Sequence, residues 1–273
     1  MGHEISGIIE EVGTNIENFS PGDRVCAINV KLDISGGELG GLGIFQNGGY
    51  AEFVKVPQKY LFHIPDDIAL KEAIMIESFA NITRAMKLSR VQDNERIMII
   101  GGGNIGSCFL KALLVEKDPD YIITIEPHAF LREKALELGA DNAFPPRKSK
   151  IKRYFKKKGA PTYIFDCVAN QETILLGIDV IMRGGTLLLE GIHKGTIEFP
   201  SFLINSKEIG IKGSLGHDRE DILAAIDLIK NNDIPLDKYI SKTVKLEDLQ
   251  DIFTSYLEPG ERKFIKMVID LSA

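Results

Sequence analysis

The chain has 273 residues, 44% hydrophobic and 26% charged, enough apolar material for one large core or two ordinary ones and too much for a disordered chain. A net charge of −6 argues against a general nucleic-acid binder, and no apolar run reaches membrane-spanning length. Cys26, Cys108 and Cys167 are far apart, odd in number and form no C-x-x-C pair, which suits a reducing compartment; with no basic region followed by an apolar core at the N-terminus, the expected location is the cytoplasm.

The opening MGHEIS matches the Gly2 and Ser6 positions of the myristoylation pattern, a short pattern often met by chance. From His3 to Val56 the text is β-rich and punctuated by Pro-Gly and Gly-Gly turns: GHEISGIIEEVG, then SPGDRV, then NGGYAEFVKVP. Short strands separated in this way predict a small barrel or sandwich. Residues Ala69 to Leu88 read as one or two helices.

The most informative stretch is Arg96 to Gly106, RIMIIGGGNIG. The apolar run Ile97 to Ile100, bounded by glycine, suits a strand covered on both faces. Gly101, Gly103 and Gly106 then give G-x-G-x-x-G spacing: a tight turn, a bare backbone that a pyrophosphate can approach, and close packing of helix on strand. A helix over Ile105 to Val115 would aim its free N–H groups and positive dipole end at the phosphates. A second strand, Tyr121 to Ile125, ends in Glu126, 20 residues beyond Gly106, where an acid meets the ribose 2′-hydroxyl of NAD and repels the 2′-phosphate of NADP. At this level a bare βα turn with a solvated Glu126 stays open, as does an S-adenosylmethionine methyltransferase, which shares a similar turn and acid.

Beyond Glu126 the segment Ala129 to Leu138 has helical spacing, with Gly139 as C-cap. Arg147 to Lys158 holds eight basic residues among twelve, with Ile151, Tyr154 and Phe155 spaced for one helix face, which predicts a solvated basic helix rather than a nucleic-acid patch. Tyr163 to Val168 is another buried strand and Thr186 to Glu190 a further one, entered through the turn Arg183 to Gly185. The alternation from Ile97 to Gly213 implies a doubly wound parallel sheet with its ligand at the carboxyl ends of the strands. The remainder supplies helices at Asp221 to Lys230 and Leu246 to Leu257, the latter with Leu249, Ile252, Phe253 and Tyr256 on one apolar stripe, and a closing strand, Phe264 to Leu271. Cys108 and Cys167 are expected as small core residues.

Several of these segments together resemble the zinc-dependent medium-chain dehydrogenases, the alcohol, sorbitol, threonine and butanediol dehydrogenase superfamily. GHEISGIIEEVGTNIENFSPGDRV looks like that family's G-H-E…G-D-R-V segment, GGYAEFVKVP like the strand ending its first catalytic segment, and IESFANITRAMKLSRV like its linking helix. IEPHAFLREKALELGADNAF resembles its second cofactor βα unit, and GSLGHDRED with IPLDKYISKTVKLEDLQDIF looks most like the butanediol and threonine branch. The resemblance covers essentially the whole chain and weakens the methyltransferase alternative. It implies an α/β fold: a doubly wound parallel Rossmann sheet at 86–216 that binds NAD, plus a truncated, discontinuous, β-rich GroES-like catalytic domain at 1–85 and 217–273.

The resemblance also implies site residues. It places NAD among Gly101, Gly103, Asn104, Ile105, Gly106, Glu126, Arg132, Val168, Gly191 and Ile192, with the loop from Gly191 to Lys194 near the nicotinamide and Asp166 as a cofactor-side acid, although Ala169 stands where a glycine is usual. It makes His3 and Glu77 ligands of one catalytic zinc ion and Glu4 a catalytic residue beside it; imidazole and carboxylate both suit zinc. His217 is taken as solvated. Three departures stand out. The family's first zinc ligand, an upstream cysteine, is not among these residues, so the expected metal site is incomplete. The structural-zinc lobe is represented by Cys26 and a glycine-rich stretch, so no structural zinc is expected. Ser78 stands where the family has proline.

The implied activity is oxidoreduction: zinc polarises the hydroxyl of a secondary alcohol, diol or polyol, and NAD takes the hydride. The alternative is a catalytically impaired nucleotide-binding remnant. The expected partners are the small-molecule alcohol and further copies of the chain in a dimer or tetramer, with no nucleic acid and no membrane.

Overall fold

Most of the apolar runs that flank glycine turns become strands or helices, in an order that separates two architectures. The computed structural model describes residues 1–29, 41–257 and 260–271. In chain order its principal elements are β1 (Ile5–Ile8), β2 (Arg24–Ala27), β3 (Leu61–His63), α1 (Met75–Ser89), β4 (Arg96–Ile100), α2 (Asn104–Glu116), β5 (Tyr121–Ile125), α3 (Ala129–Glu137), β6 (Asn142–Phe144) and α4 (Lys148–Lys158). There follow β7 (Tyr163–Asp166), α5 (Gln171–Val180), β8 (Thr186–Leu189), α6 (Ser201–Lys207), β9 (Gly210–Gly213), α7 (Arg219–Asn231), β10 (Ile240–Val244), α8 (Leu249–Leu257) and β11 (Lys266–Ile269). Two compact units form, one from Met1–Ala80, Gly216–Pro259 and Lys266–Ala273, the other from Asn81–Leu215 and Gly260–Ile265.

In the second unit six parallel strands take the order β6-β5-β4-β7-β8-β9. The chain starts at β4 and steps outward to one side, then returns and steps outward to the other, the doubly wound topology that the strand–helix alternation predicted. Helices cover both faces, so Ile97 to Ile100 and all five residues of β5 are buried. Helix α2 contributes Cys108, Phe109, Leu110, Ala112 and Leu113 to this core. The basic helix α4 buries Ile151 and Phe155 and leaves its lysines exposed. Gly139 ends α3 at φ +111°, a left-handed position that favours glycine. Ala169, in the place where glycine is usual, holds φ +51°, a conformation that costs an L-residue with a Cβ about 1–2 kcal/mol.

In the first unit β1, β2 and β3 form an antiparallel sheet, and β10 pairs in parallel with β11. Phe79 of α1 packs edge-on against Tyr239, both fully buried. Four expectations change here. GGYAEFVKVP is not a laddered strand; its link backward is the Gly49 N–H donated to the Gly2 carbonyl at 2.8 Å. The segment from Ala69 makes isolated turns before the regular helix begins at Met75, and the closing strand shortens to β11. On α8 the predicted stripe stays partly in solvent, with Phe253 39% and Tyr256 44% exposed. The glycine-rich stretch after Cys26 lies largely at 30–40, outside the described residues.

Candidate functional site

The glycine turn is built by the register between β4 and β5. The Gly101 N–H donates to the Ile125 carbonyl at 2.8 Å, after which the chain reverses at φ +96° and enters α2 with Gly103 as N-cap. Each glycine has a separate reason. A Cβ on Gly106 would lie 1.8 Å from the Gly101 carbonyl oxygen, so only glycine lets α2 sit this close to the strand. A Cβ on Gly103 would meet nothing within 4 Å, which leaves open space in front of the helix N-terminus. Asn104 and Ile105 form the first turn of α2 beside that space. This is a cradle of N–H groups at the positive end of a 13-residue helix, the arrangement that receives a pyrophosphate.

Glu126 is 5% exposed and its carboxylate is held from two sides: Oε2 accepts from the Gly102 N–H at 2.8 Å and Oε1 from the His128 N–H at 2.9 Å. Each oxygen keeps a lone pair for a ribose hydroxyl. Arg132 of α3 donates to the carbonyls of Glu126 and Pro127 at 2.9 and 2.5 Å, so it braces the strand end rather than extending from it.

On the other side of β4, a Cβ on Gly101 would lie 3.1 Å from Val168, and one on Gly191 would lie 2.4 Å from the Val168 backbone. Gly101, Val168 and Gly191 therefore meet at the carboxyl ends of β4, β7 and β8, and Ile192 is 73% exposed beyond them. Asp166 does not face outward. Its Oδ1 accepts from the Val168 and Ala169 N–H groups at 3.0 and 2.8 Å, and burial pushes its carboxyl above the ordinary range despite those donors. It shapes the turn into α5.

In the first unit His3 Nε2 lies 3.9 Å from Glu77 Oε1, although the two residues are far apart in sequence. An imidazole nitrogen and a carboxylate oxygen at that separation can converge on one zinc ion with little adjustment. Among the described residues no group of three or more His, Cys, Asp or Glu residues is placed to hold a metal ion. Glu4 is a partner of this pair rather than a third donor. Its Oε1 accepts from the Ser78 hydroxyl at 3.1 Å and from the Lys266 ammonium, which also reaches Ser78 at 3.3 Å. Burial acts to raise the Glu4 carboxyl, but the Lys266 charge and hydrogen bond outweigh it, so the group is held below the usual carboxylate range.

Sequence reasoning missed Lys266, which stands 262 positions from Glu4 with no motif to mark it. It noticed Ser78 only as a departure, whereas the hydroxyl supplies Glu4 with a donor that proline lacks. His217 is a correction: it is 4% exposed, and burial, opposed by a hydrogen bond to the Asn29 backbone and by Asp218, pushes its imidazole down to about 4. Asn29 and His3, which act on it, stand far earlier in the chain, and its own neighbourhood in sequence gives no sign of them. The Cys26 thiol, fully buried, is pushed up to about 12, as expected of an inert core residue.

Comparisons with known proteins bear on family and fold. Residues 1–66 match the alcohol dehydrogenase GroES-like domain, and residues 105–231 match the zinc-binding dehydrogenase family. An (R,R)-butanediol dehydrogenase of Bacillus subtilis is 28% identical over 271 residues, covering 91% of this chain and 74% of its own. A D-xylulose reductase of Saccharomyces cerevisiae is 25% identical, covering 93% of this chain and 76% of its own. Among solved structures, an Escherichia coli enzyme described as a short chain alcohol dehydrogenase (rspB), complexed with NADH, superposes with a TM-score of 0.87 at 25% identity over 97% of this chain and 82% of that one. The Bacillus subtilis 2R,3R-butanediol dehydrogenase gives 0.86 at 26% identity over 98% and 80%. On matched domains, relatives and fold together, this chain belongs to the zinc-dependent medium-chain dehydrogenase superfamily, in its butanediol and polyol branch.

Proposed function

We propose that the protein is an NAD-dependent oxidoreductase acting on a secondary alcohol, diol or polyol. The observation that carries this reading is the open space at Gly103, in front of the α2 N-terminus, with Glu126 held beside it. Gly101 shapes the turn, the backbone N–H groups from Gly103 to Gly106 receive the pyrophosphate, and Glu126 accepts from the adenosine ribose and repels a 2′-phosphate. Val168, Gly191 and Ile192 line the other end of the cofactor, and Arg132 holds the Glu126 strand end in place.

His3 and Glu77 would hold the catalytic zinc. When bound, zinc polarises the substrate hydroxyl and NAD accepts the hydride. Glu4, fixed by Lys266 and Ser78, keeps negative charge next to His3 and would favour its imidazole as a ligand if zinc is held there. We assign residues 1–85 and 217–273 to the catalytic domain and 86–216 to the cofactor domain. The three free thiols fit a cytoplasmic enzyme, and the family resemblance supports a dimer or tetramer.

The test is direct. Zinc-supplied protein is titrated with NAD and NADP calorimetrically, its zinc is quantified, and NAD reduction is followed by absorbance on a panel of secondary alcohols, diols and polyols. The reading requires NAD to bind more tightly than NADP and at least one alcohol to be turned over. Failure to bind NAD sinks it, and NAD binding without zinc or turnover leaves a nucleotide-binding protein.

A further inference from the structure

The strand order divides a bound dinucleotide between the two sides of β4. With the ribose acid Glu126 at the end of β5 and the pyrophosphate turn at the end of β4, the second nucleotide extends over the carboxyl ends of β7, β8 and β9. Glu190 stands there, directly after β8, and its N–H and that of Gly191 both donate to the Asp166 carbonyl, at 2.9 and 3.0 Å.

Register shows which way its side chain faces. Phe165, Leu188 and Lys212 are opposite one another, so two residues on, Cys167, Glu190 and Ser214 share that sheet face. Phe165 packs against Phe109 of α2 at 4.7 Å, so this is the face that carries the helix of the glycine turn. Here Glu190 Oε2 is enclosed and has no hydrogen-bond partner among the described residues. The Ser214 hydroxyl is its polar neighbour, and burial prevails, pushing the carboxyl up to about 8. The titratable groups beside Glu190 at this corner are Cys167 and Asp166 from the end of β7 and Cys108 from α2; after burial, it is Glu190, Asp166 and Cys108 that raise the Cys167 thiol. None of them is cationic. His193 and Lys194, further along the same loop, are exposed. An enclosed carboxyl with no counter-charge among the described residues needs an explanation, and the cofactor itself supplies one: its oxidised nicotinamide ring is a cation and its reduced ring is neutral.

We propose that Glu190 discriminates between the two redox forms of the cofactor, its enclosed carboxyl lying where the second nucleotide's ring is seated and pairing as a carboxylate with the cationic ring of the oxidised form. Binding of the oxidised form at neutral pH then transfers the Glu190 proton to solvent, whereas the reduced form binds with that proton in place. The inference rests on the NAD reading above.

The experiment measures binding of NAD and NADH to the full chain between pH 6 and 9, with calorimetry in two buffers of different ionisation enthalpy. For the wild type, NAD affinity should rise about 10-fold per pH unit below pH 8, with about one proton released per NAD at pH 7, while NADH affinity stays nearly level. In Glu190→Gln the NAD slope and the proton release should disappear. Equal pH responses of NAD and NADH in the wild type overturn the proposal without touching the NAD reading, and this arm needs no variant. Persistence of the proton release in a folded Glu190→Gln also overturns it. If neither form binds the wild type, the NAD reading fails and takes this inference with it.

Discussion

Alanine at Gly103 adds one methyl group at a point where, its chain neighbours aside, no atom of the described residues lies within 4 Å. The backbone there, φ −72° and ψ −162°, is open to any L-residue, so folding stability should stay within about 0.5 kcal/mol of the wild type. The methyl group instead occupies the approach of the pyrophosphate to the α2 N-terminus. Hydrogen bonds to a charged group contribute about 1.5–3 kcal/mol each, so losing one or two of them weakens NAD binding by about 100-fold. Alanine at Gly106 acts in the opposite way. Its Cβ would lie 1.8 Å from the Gly101 carbonyl oxygen and 2.9 Å from its carbon, neither a flexible side-chain end, so α2 must move away from the strand. Overpacking of this kind costs about 3 kcal/mol or more and lowers the melting temperature by roughly 6–12 °C. Thermal melts and NAD calorimetry on both variants separate the two effects. Wild-type NAD affinity in Gly103→Ala would refute the placement of the pyrophosphate, and an unchanged melting temperature in Gly106→Ala would refute the packing argument.

Three other outcomes are expected. Lys266→Met leaves the Glu4 carboxylate, 23% exposed at its side chain, without its counter-charge, and should reduce stability by about 2–3 kcal/mol in urea denaturation; an unchanged midpoint counts against the pair's role. In cofactor-free protein, the folded state keeps the Glu190 proton up to about pH 8, whereas the unfolded chain releases it near 4.5. The contribution of Glu190 to stability should therefore be complete below that lower value and fall by about 4 kcal/mol as pH rises to 8, and Glu190→Gln should remove this component in denaturation at pH 5, 7 and 8.5. His3→Ala removes one donor of the pair at 3.9 Å and should weaken zinc binding by more than the roughly 10–100-fold that loss of an outer partner costs. Equilibrium competition with a chromophoric chelator reads this, and unchanged affinity would place the metal elsewhere.

How much could be read without the structure differs between the two units. In the cofactor half, strand identity, turn and helix follow one another within about 30 residues, and each is set by local chemistry: apolar runs, a left-handed glycine, an acid at a strand end. That half was legible nearly element by element, from Ile97 to Glu126 and on to the turn at Gly139. In the other half the motif around His3 was recognisable, but the strand expected from GGYAEFVKVP was not formed, because an extended segment becomes a strand only where a partner ladder meets it. The apolar stripe of α8 shows the same limit: periodicity marks a face, and packing decides whether it is covered.

The sequence by itself determined the doubly wound sheet, the glycine cradle and the position of Glu126, since neighbours along the chain are enough to specify them. Tertiary structure alone decided that Lys266 and Ser78 hold Glu4, that His217 is buried, and that Glu190 is enclosed beside Ser214. Those environments are made by residues tens to hundreds of positions apart, and the burial that shifts a titratable group has no signature in the few residues around it.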